Sequence, residues 1–466
     1  MTFIRLIAAF SILVLLSLFV SSNLLQSEQT FGTFGLRYLI GAYSAFLLAV
    51  TVADDLPRLI KIKRVTLILA AFLFYTITKY YFEADEHQIS QVVYGTTQGL
   101  LFSLSVGLVA SYALFTIYNL FAHKQLSGII TLCTIGYLIF VAASLYYFIQ
   151  AGAQYSREDA FRILDNVSYQ RPGDLLIVQL LITSCTAILL LTRSKQFKFI
   201  IFVVLLVLIM TISALTGILS QLFWSNKGLL AGGGIAFIYI VCSFAALRGR
   251  ADQNIGVTNI LLSRLGLYLL LGMMVGVTTV AATAIGALDL FNVEYTQLRL
   301  FEREDEIRSV SARTELFRLN FLKHFEYSPI FGHTQVEKIF GDHGQYVHST
   351  LSVLTHLGVV GFIMFLFLVI GLYMEITGGN SAHREDVLSN NSIYGLLRLG
   401  LFSFILAMGL YSAFFTWMPL WFSIGFLGTW FSFKSNEKKH HRKKRKRRSR
   451  HTKTKKHTHP SATFSN

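Results

Sequence analysis

The chain has 466 residues, 53% of them apolar and only 14% charged, against about 25% charged in an ordinary soluble domain. That balance excludes a soluble globular fold. Apolar runs recur near the roughly 20 residues that cross a hydrocarbon core as a helix, and the fold class is all-α, a polytopic integral membrane protein. The net charge of +16 is concentrated at one end: residues 434–456 carry 14 Lys and Arg against the single acid Glu437, which is +13 of the total.

Twelve spans are predicted, at 4–25, 34–53, 65–83, 95–121, 128–151, 175–193, 199–222, 228–247, 263–289, 350–374, 395–413 and 415–433. The first has Arg5 ahead of its apolar run but no small-x-small cleavage site, so it reads as a retained signal anchor. Basic residues fall on alternate connections: Arg58, Lys61, Lys63 and Arg64, then Lys124, then Arg193, Lys195 and Lys198, then Arg248, Arg250 and Arg264, then the tail. Lys and Arg are retained on the cytoplasmic side, which places both termini there and the intervening connections outside. Residues 1–289 are thus nine spans with short loops, 290–349 a large extracytoplasmic (periplasmic) loop, 350–433 spans ten to twelve, and 434–466 a basic disordered cytoplasmic tail. In a soluble protein the run RKKRKRRSR (442–450) would suggest nucleic acid. After a dozen spans it reads as an anchor for anionic lipid headgroups, and no nucleic-acid partner is expected.

Two outward connections before the large loop carry cations. Residues 152–174 hold Arg162 and Arg171, and SNKGLLAGG (225–233) holds Lys227. Gly232, Gly233 and Gly234 read as close helix contacts, since no Walker pattern accompanies them. Cys133, Cys185 and Cys242 all fall inside apolar runs and suggest neither a disulfide frame nor a zinc cluster.

The loop 290–349 holds most of the polar chemistry. Residues 295–327 have apolar positions at three- and four-residue spacing and no Gly or Pro. They predict one or two amphipathic helices near the membrane surface, stopped by Ser328–Pro329. Arg299, Arg303, Arg308, Arg318 and Lys323 each have an acid three or four residues away, where a helix can pair them. Arg313 has none. A guanidinium fork suits phosphate, although solvation or a lipid headgroup contact would satisfy it equally on pattern alone.

The loop ends in GDHGQYVHSTLSVLTHLGVVG (341–361). His348 could be a general base, because imidazole titrates near neutrality, or an ordinary interfacial histidine. Asp342, His343 and His348 match no standard metal-ligand spacing, and no metal site is predicted. His356, just inside span ten, reads either as a polar contact in the bundle or as a lining residue of a site.

RTELFRLNFLKHFEYSPIFG (313–332) followed by VHSTLSVLTHLGVVGF (347–362) resembles the bacterial O-antigen ligase and O-antigen polymerase superfamily. That family has an Arg-x-x-x-Trp helix, a Pro-x-x-Gly-x-Gly turn, a His-Asn pair and a Leu-Gly-x-x-Gly span. Arg313, Pro329, Gly332, His348, Leu357, Gly358 and Gly361 fall on these motifs. Residues 225–233 resemble the family's Ser-Arg-Gly segment, with Lys227 in place of arginine. Phe317, Thr334 and Ser349 are further departures.

The resemblance implies a metal-independent transferase of the bacterial inner membrane with no cofactor and a periplasmic active site. It would move a preassembled glycan from undecaprenyl diphosphate to lipid A–core oligosaccharide with inversion. Polymerase and protein O-oligosaccharyltransferase activities are the alternatives within the family. The resemblance makes His348 the base that deprotonates the acceptor hydroxyl. Arg313 and Lys227 would bind the diphosphate, with Arg162 and Arg171 as further contributors. The rival from another class is a transporter of a lipid-linked or anionic solute, which would be favoured by charges buried within the spans.

Overall fold

The computed structural model describes residues 2–24, 64–83, 98–121, 125–152, 171–193, 198–222, 226–248, 318–340, 349–377, 392–412, 414–428 and 430. Among them the regular structure is entirely helical. The long helices are α1 (Thr2–Leu24), α2 (Arg64–Glu83), α3 (Ser103–Leu120, preceded by a π turn over Gln98–Phe102), α4 (Ser127–Gly152), α5 (Arg171–Arg193), α6 (Lys198–Leu222), α7 (Asn226–Arg248), α8 (Ser352–Ile376) and α9 (Ser392–Ser412), followed by the shorter α10 (Met418–Leu427). Eight helices among the described residues are long and apolar enough to cross a membrane. The predicted spans 34–53 and 263–289 lie outside the described residues.

Lipid offers the backbone no partners, so an all-round apolar segment satisfies its own amides by coiling. Its hydroxyls do the same. Thr76, Thr134 and Thr186 donate to the carbonyls of Phe72, Ile130 and Ile182 at 2.7–2.8 Å, one turn back. α5 is the central helix, buried at every position from 173 to 191, with α1, α4, α6, α7, α9 and α10 around it. Inside this ring Gln179 Nε2 donates to the Tyr137 hydroxyl at 3.1 Å, which in turn meets Ser17 Oγ at 3.1 Å. This polar tie joins α1, α4 and α5 where lipid cannot supply hydrogen bonds.

Glycines set the closest crossings. A Cβ on Gly107 would lie 2.3 Å from the Phe422 carbonyl oxygen, and one on Gly425 would lie 2.3 Å from that of Leu104. α3 and α10 therefore touch backbone to backbone, which is what small residues permit between membrane helices. Gly232 and Gly234 abut the Ser213 carbonyl and the Phe404 ring, whereas Gly233 faces open space. The close-contact reading thus holds for two of those three glycines.

The last span differs from expectation. A helix was predicted over 415–433, but α10 covers only Met418–Leu427. Trp417 is non-helical and Pro419 sits in the first turn, where its missing N–H costs nothing. At the other end Gly428 is extended. Buried Arg398 of α9 donates from Nε to the Leu427 carbonyl at 2.6 Å, and its Nη2 reaches the same oxygen. A cation on the last carbonyls of a helix satisfies acceptors that have no partner within it. This buried charge within a span acts as a helix clamp.

Candidate functional site

Contacts gather one set of helix ends. The end of α2, the starts of α5, α7, α8 and α10, and the end of α9 meet there with the segment 318–340. Residues 318–327 are helical and stop at Ser328–Pro329, as the sequence predicts. Asn320 and His324 of this helix are buried, while its exposed side mixes Leu319 and Leu322 with Arg318, Lys323 and Glu326. Ile330, Phe331 and Ile339 beyond it are exposed as well. Residues 295–317 lie outside the described residues.

The turn after this helix is seated in a break of α8. At Gly358 the backbone takes φ 65°, ψ −170°, a conformation open essentially to glycine alone. The helix loses its local hydrogen bonds there, and the turn supplies others. Val359 and Val360 donate N–H bonds to the carbonyls of Pro329 and Ile330 at 2.9 and 3.1 Å, and His333 N donates to the Thr355 carbonyl at 3.0 Å. The Tyr75 hydroxyl of α2 lies 3.1 Å from the Phe331 and Leu357 carbonyls. Gly332, at φ 68°, is the matching piece: a Cβ there would sit 2.3 Å from Gly358 N, and one on Gly358 would sit 2.3 Å from the Ile330 carbonyl oxygen. The Pro329–Gly332 turn and the Leu357–Gly358 motif, 25 or more residues apart in sequence, are therefore one packed unit.

Ionisable groups surround this unit. Glu83, at the end of α2, is bonded to Lys79 and accepts from both the amide and the hydroxyl of Thr334 at 2.7 and 2.8 Å. The threonine that stands where the resemblance expects glycine thus anchors the turn. Buried His356 bridges the two sides, with Nδ1 at 3.2 Å from the Tyr80 hydroxyl and Nε2 at 3.3 Å from Glu337 Oε1. Phe414 meets the His356 ring edge-on at 4.6 Å. Of the two sequence readings of His356, these contacts make it a link between α2, α8 and the loop. His333 is half-buried, and burial pushes its imidazole below the ordinary histidine range. Lys79 and His356 add to that shift and Glu83 opposes it.

A second cluster lies on the other side of residues 414–417. Lys227, in the first turn of α7, is 9% exposed, and its ammonium is 5.6 Å from the centre of the Trp417 ring. Trp417 Nε1 donates to Asp174 Oδ1 at 2.6 Å, and Asp174 lies in the first turn of α5. Gly228 permits this approach: a Cβ there would sit 2.4 Å from Ser220 Cβ and 3.9 Å from Gly173 Cα. Arg171 is the first residue of α5, so its backbone belongs to the same end of the bundle.

Of the sequence-predicted site residues, Lys227 is therefore seen in full and Arg171 by its backbone, while His348, Arg313 and Arg162 lie outside the described residues. Ser349 and Thr350 directly follow His348 in the chain. There Ser349 Oγ donates to the Leu410 carbonyl at 2.7 Å and Thr350 N to the Gly409 carbonyl at 2.9 Å, tying this point to the end of α9. Sequence reasoning missed Glu83, Glu337, Tyr80, Asp174 and Trp417. Only Asp174 and Glu337 carried a local signal, an acid in the first turn of a helix. Among the described residues no group of three or more His, Cys, Asp or Glu is placed to hold a metal ion. No protein-family model, curated protein or solved structure matches the chain.

Proposed function

We propose that the protein is a glycan transferase of the bacterial inner membrane. It moves a preassembled glycan from undecaprenyl diphosphate to lipid A–core oligosaccharide on the periplasmic face. The observation that carries this reading is the seating of the Pro329–Gly332 turn in the Gly358 break of α8. The two segments that resemble the O-antigen ligase superfamily form a single unit, at the same end of the bundle as Lys227.

The chemistry follows from the charges. The donor's leaving group is a lipid diphosphate, and cations fixed in a low-dielectric site stabilise the charge that builds on it. Lys227 and Arg313 serve that purpose, with Arg162 and Arg171 as further contributors. His348, one residue before the anchored Ser349, takes the proton of the acceptor hydroxyl as its oxygen attacks the anomeric carbon. The bond from that carbon to the diphosphate oxygen breaks, the electron pair leaves with the diphosphate, and the anomeric configuration inverts. General-base assistance of this kind contributes on the order of 10²–10⁴ in rate.

The test is transfer in vitro from purified undecaprenyl diphosphate glycan to lipid A–core. His348→Ala is expected to lower the rate by about a hundredfold or more, and EDTA to leave it unchanged. Full activity in His348→Ala removes the base assignment, and loss with EDTA replaces it with a metal mechanism. Lengthened lipid-linked glycan as the sole product makes the protein a polymerase instead.

A further inference from the structure

We infer that Trp417 and Asp174 are positioning residues that seat the Lys227 ammonium for a lipid-linked diphosphate. The inference deepens the reading above and rests on it for the identity of the anion.

A lysine is a compact charge on a flexible stem, and fixing it costs rotamer freedom. At the start of α7 that cost is met by the surroundings. The Trp417 ring lies under the ammonium at 5.6 Å, inside the range in which the negative face of an indole attracts a cation, tryptophan being the strongest of the aromatic rings in this respect. The ring is itself held at both ends. Its Nε1–H is bonded to the Asp174 carboxylate at 2.6 Å, a charge-assisted contact about twice as strong as a neutral one. Its backbone is pinned at the head of α10, where Trp417 N donates to the Phe414 carbonyl at 2.9 Å and Leu420 N returns to the Trp417 carbonyl at 3.1 Å.

Asp174 and Trp417 are both less than a tenth exposed, so the Asp174–Trp417 bond is shielded from water. The starts of α5, α7 and α10 converge on this cluster, and each helix start carries a partial positive charge. The carboxylate thus sits where these helix starts stabilise a buried anion, and it orients the ring. The ring in turn presents Lys227. Trp417 and Asp174 act through Lys227 and need not touch the diphosphate.

The test measures binding of undecaprenyl diphosphate to the full-length protein in phosphatidylcholine nanodiscs, alongside glycan transfer. Lys227→Met and Trp417→Leu are each expected to weaken binding about five- to tenfold, and Lys227→Arg to bind more tightly than Lys227→Met, because a guanidinium keeps the charge and also stacks on an indole face. The double variant Trp417→Leu/Lys227→Met should bind no more weakly than Lys227→Met alone, because residues acting as one unit are not additive. Asp174→Asn should raise the KM for donor while leaving the KM for acceptor and the yield of folded protein unchanged, a split that a general loss of stability does not produce. Where Trp417→Leu does not fold, Trp417→Phe, which keeps a ring but loses the bond to Asp174, carries the same comparison. Wild-type binding in the Trp417 variants, or multiplicative losses in the double variant, overturns the seat. A wild-type protein that binds undecaprenyl diphosphate with these variant effects but transfers no glycan overturns the transferase reading and leaves the seat standing. A wild-type protein that does not bind it overturns both.

Discussion

His333 shows how one side chain reports on the docking of the whole turn. Its Nδ1 accepts the Gln335 amide N–H at 3.2 Å, which requires that nitrogen to be unprotonated. Its backbone amide at the same time ties the turn to Thr355. Burial favours the same neutral form. The folded value lies below the ordinary histidine value of about 6.5, so the unfolded chain takes up its proton first on acidification. The contribution of His333 to stability is therefore complete above about pH 6.5 and is lost as the pH falls from there through the folded value. Melting temperatures measured across this range should fall more steeply with acid in the wild type than in His333→Gln, which keeps an acceptor but no titration. Equal slopes for the two proteins would refute the assignment.

At the scale of elements, the join between the loop turn and α8 is built on two glycines, and each answers to a different physical limit. Gly358 combines a glycine-only conformation with contact to the Ile330 carbonyl, so alanine there meets both strain and overlap. Strain of this kind alone costs about 1–3 kcal/mol, and the overlap adds to it. Gly358→Ala should therefore lower thermal stability strongly and expose the amides of Val359 and Val360 to hydrogen exchange. Gly233→Ala is the counterpart, a helical glycine with open space at its Cβ. It should be neutral or stabilising by about 0.5–1 kcal/mol. If the two variants melt alike, the break in α8 is not held by this join.

The helices themselves were legible because their cause is local: length and apolarity place them, and Ser328–Pro329 marks the loop helix stop. The break at Gly358 was legible only as a motif. Its hydrogen bonds come from residues 329–333, and Glu83, which braces that turn through Thr334, lies 251 positions from Thr334 in sequence. The pairing of Trp417 with Asp174 was illegible for the same reason, since a 243-residue separation leaves no periodic trace. Arg398 also escaped notice, because the carbonyl it bonds lies at the end of another helix, 29 residues away in sequence.

For the molecule as a whole, the two ends of the bundle differ in chemical character. Arg64, Arg193, Lys198 and Arg248 stand at the termini of α2, α5, α6 and α7 that share one end. Glu83, Asp174, Lys227, His333, Glu337 and His356 gather at the other. On the proposed function, retention of Lys and Arg in the cytoplasm would orient the mixed acidic and cationic end outward, where a lipid-borne donor arriving sideways through the bilayer would meet a polar acceptor arriving from the aqueous side. Single cysteines introduced into a variant lacking Cys133, Cys185 and Cys242 test this orientation. Ser225→Cys, next to α7 and Lys227, should react with a membrane-impermeant maleimide in intact spheroplasts, and Lys124→Cys only after lysis. The reverse pattern would put Lys227 and the seated turn on the cytoplasmic side. A transferase that meets its acceptor outside the cell could not then work from this site, whatever the geometry of its residues.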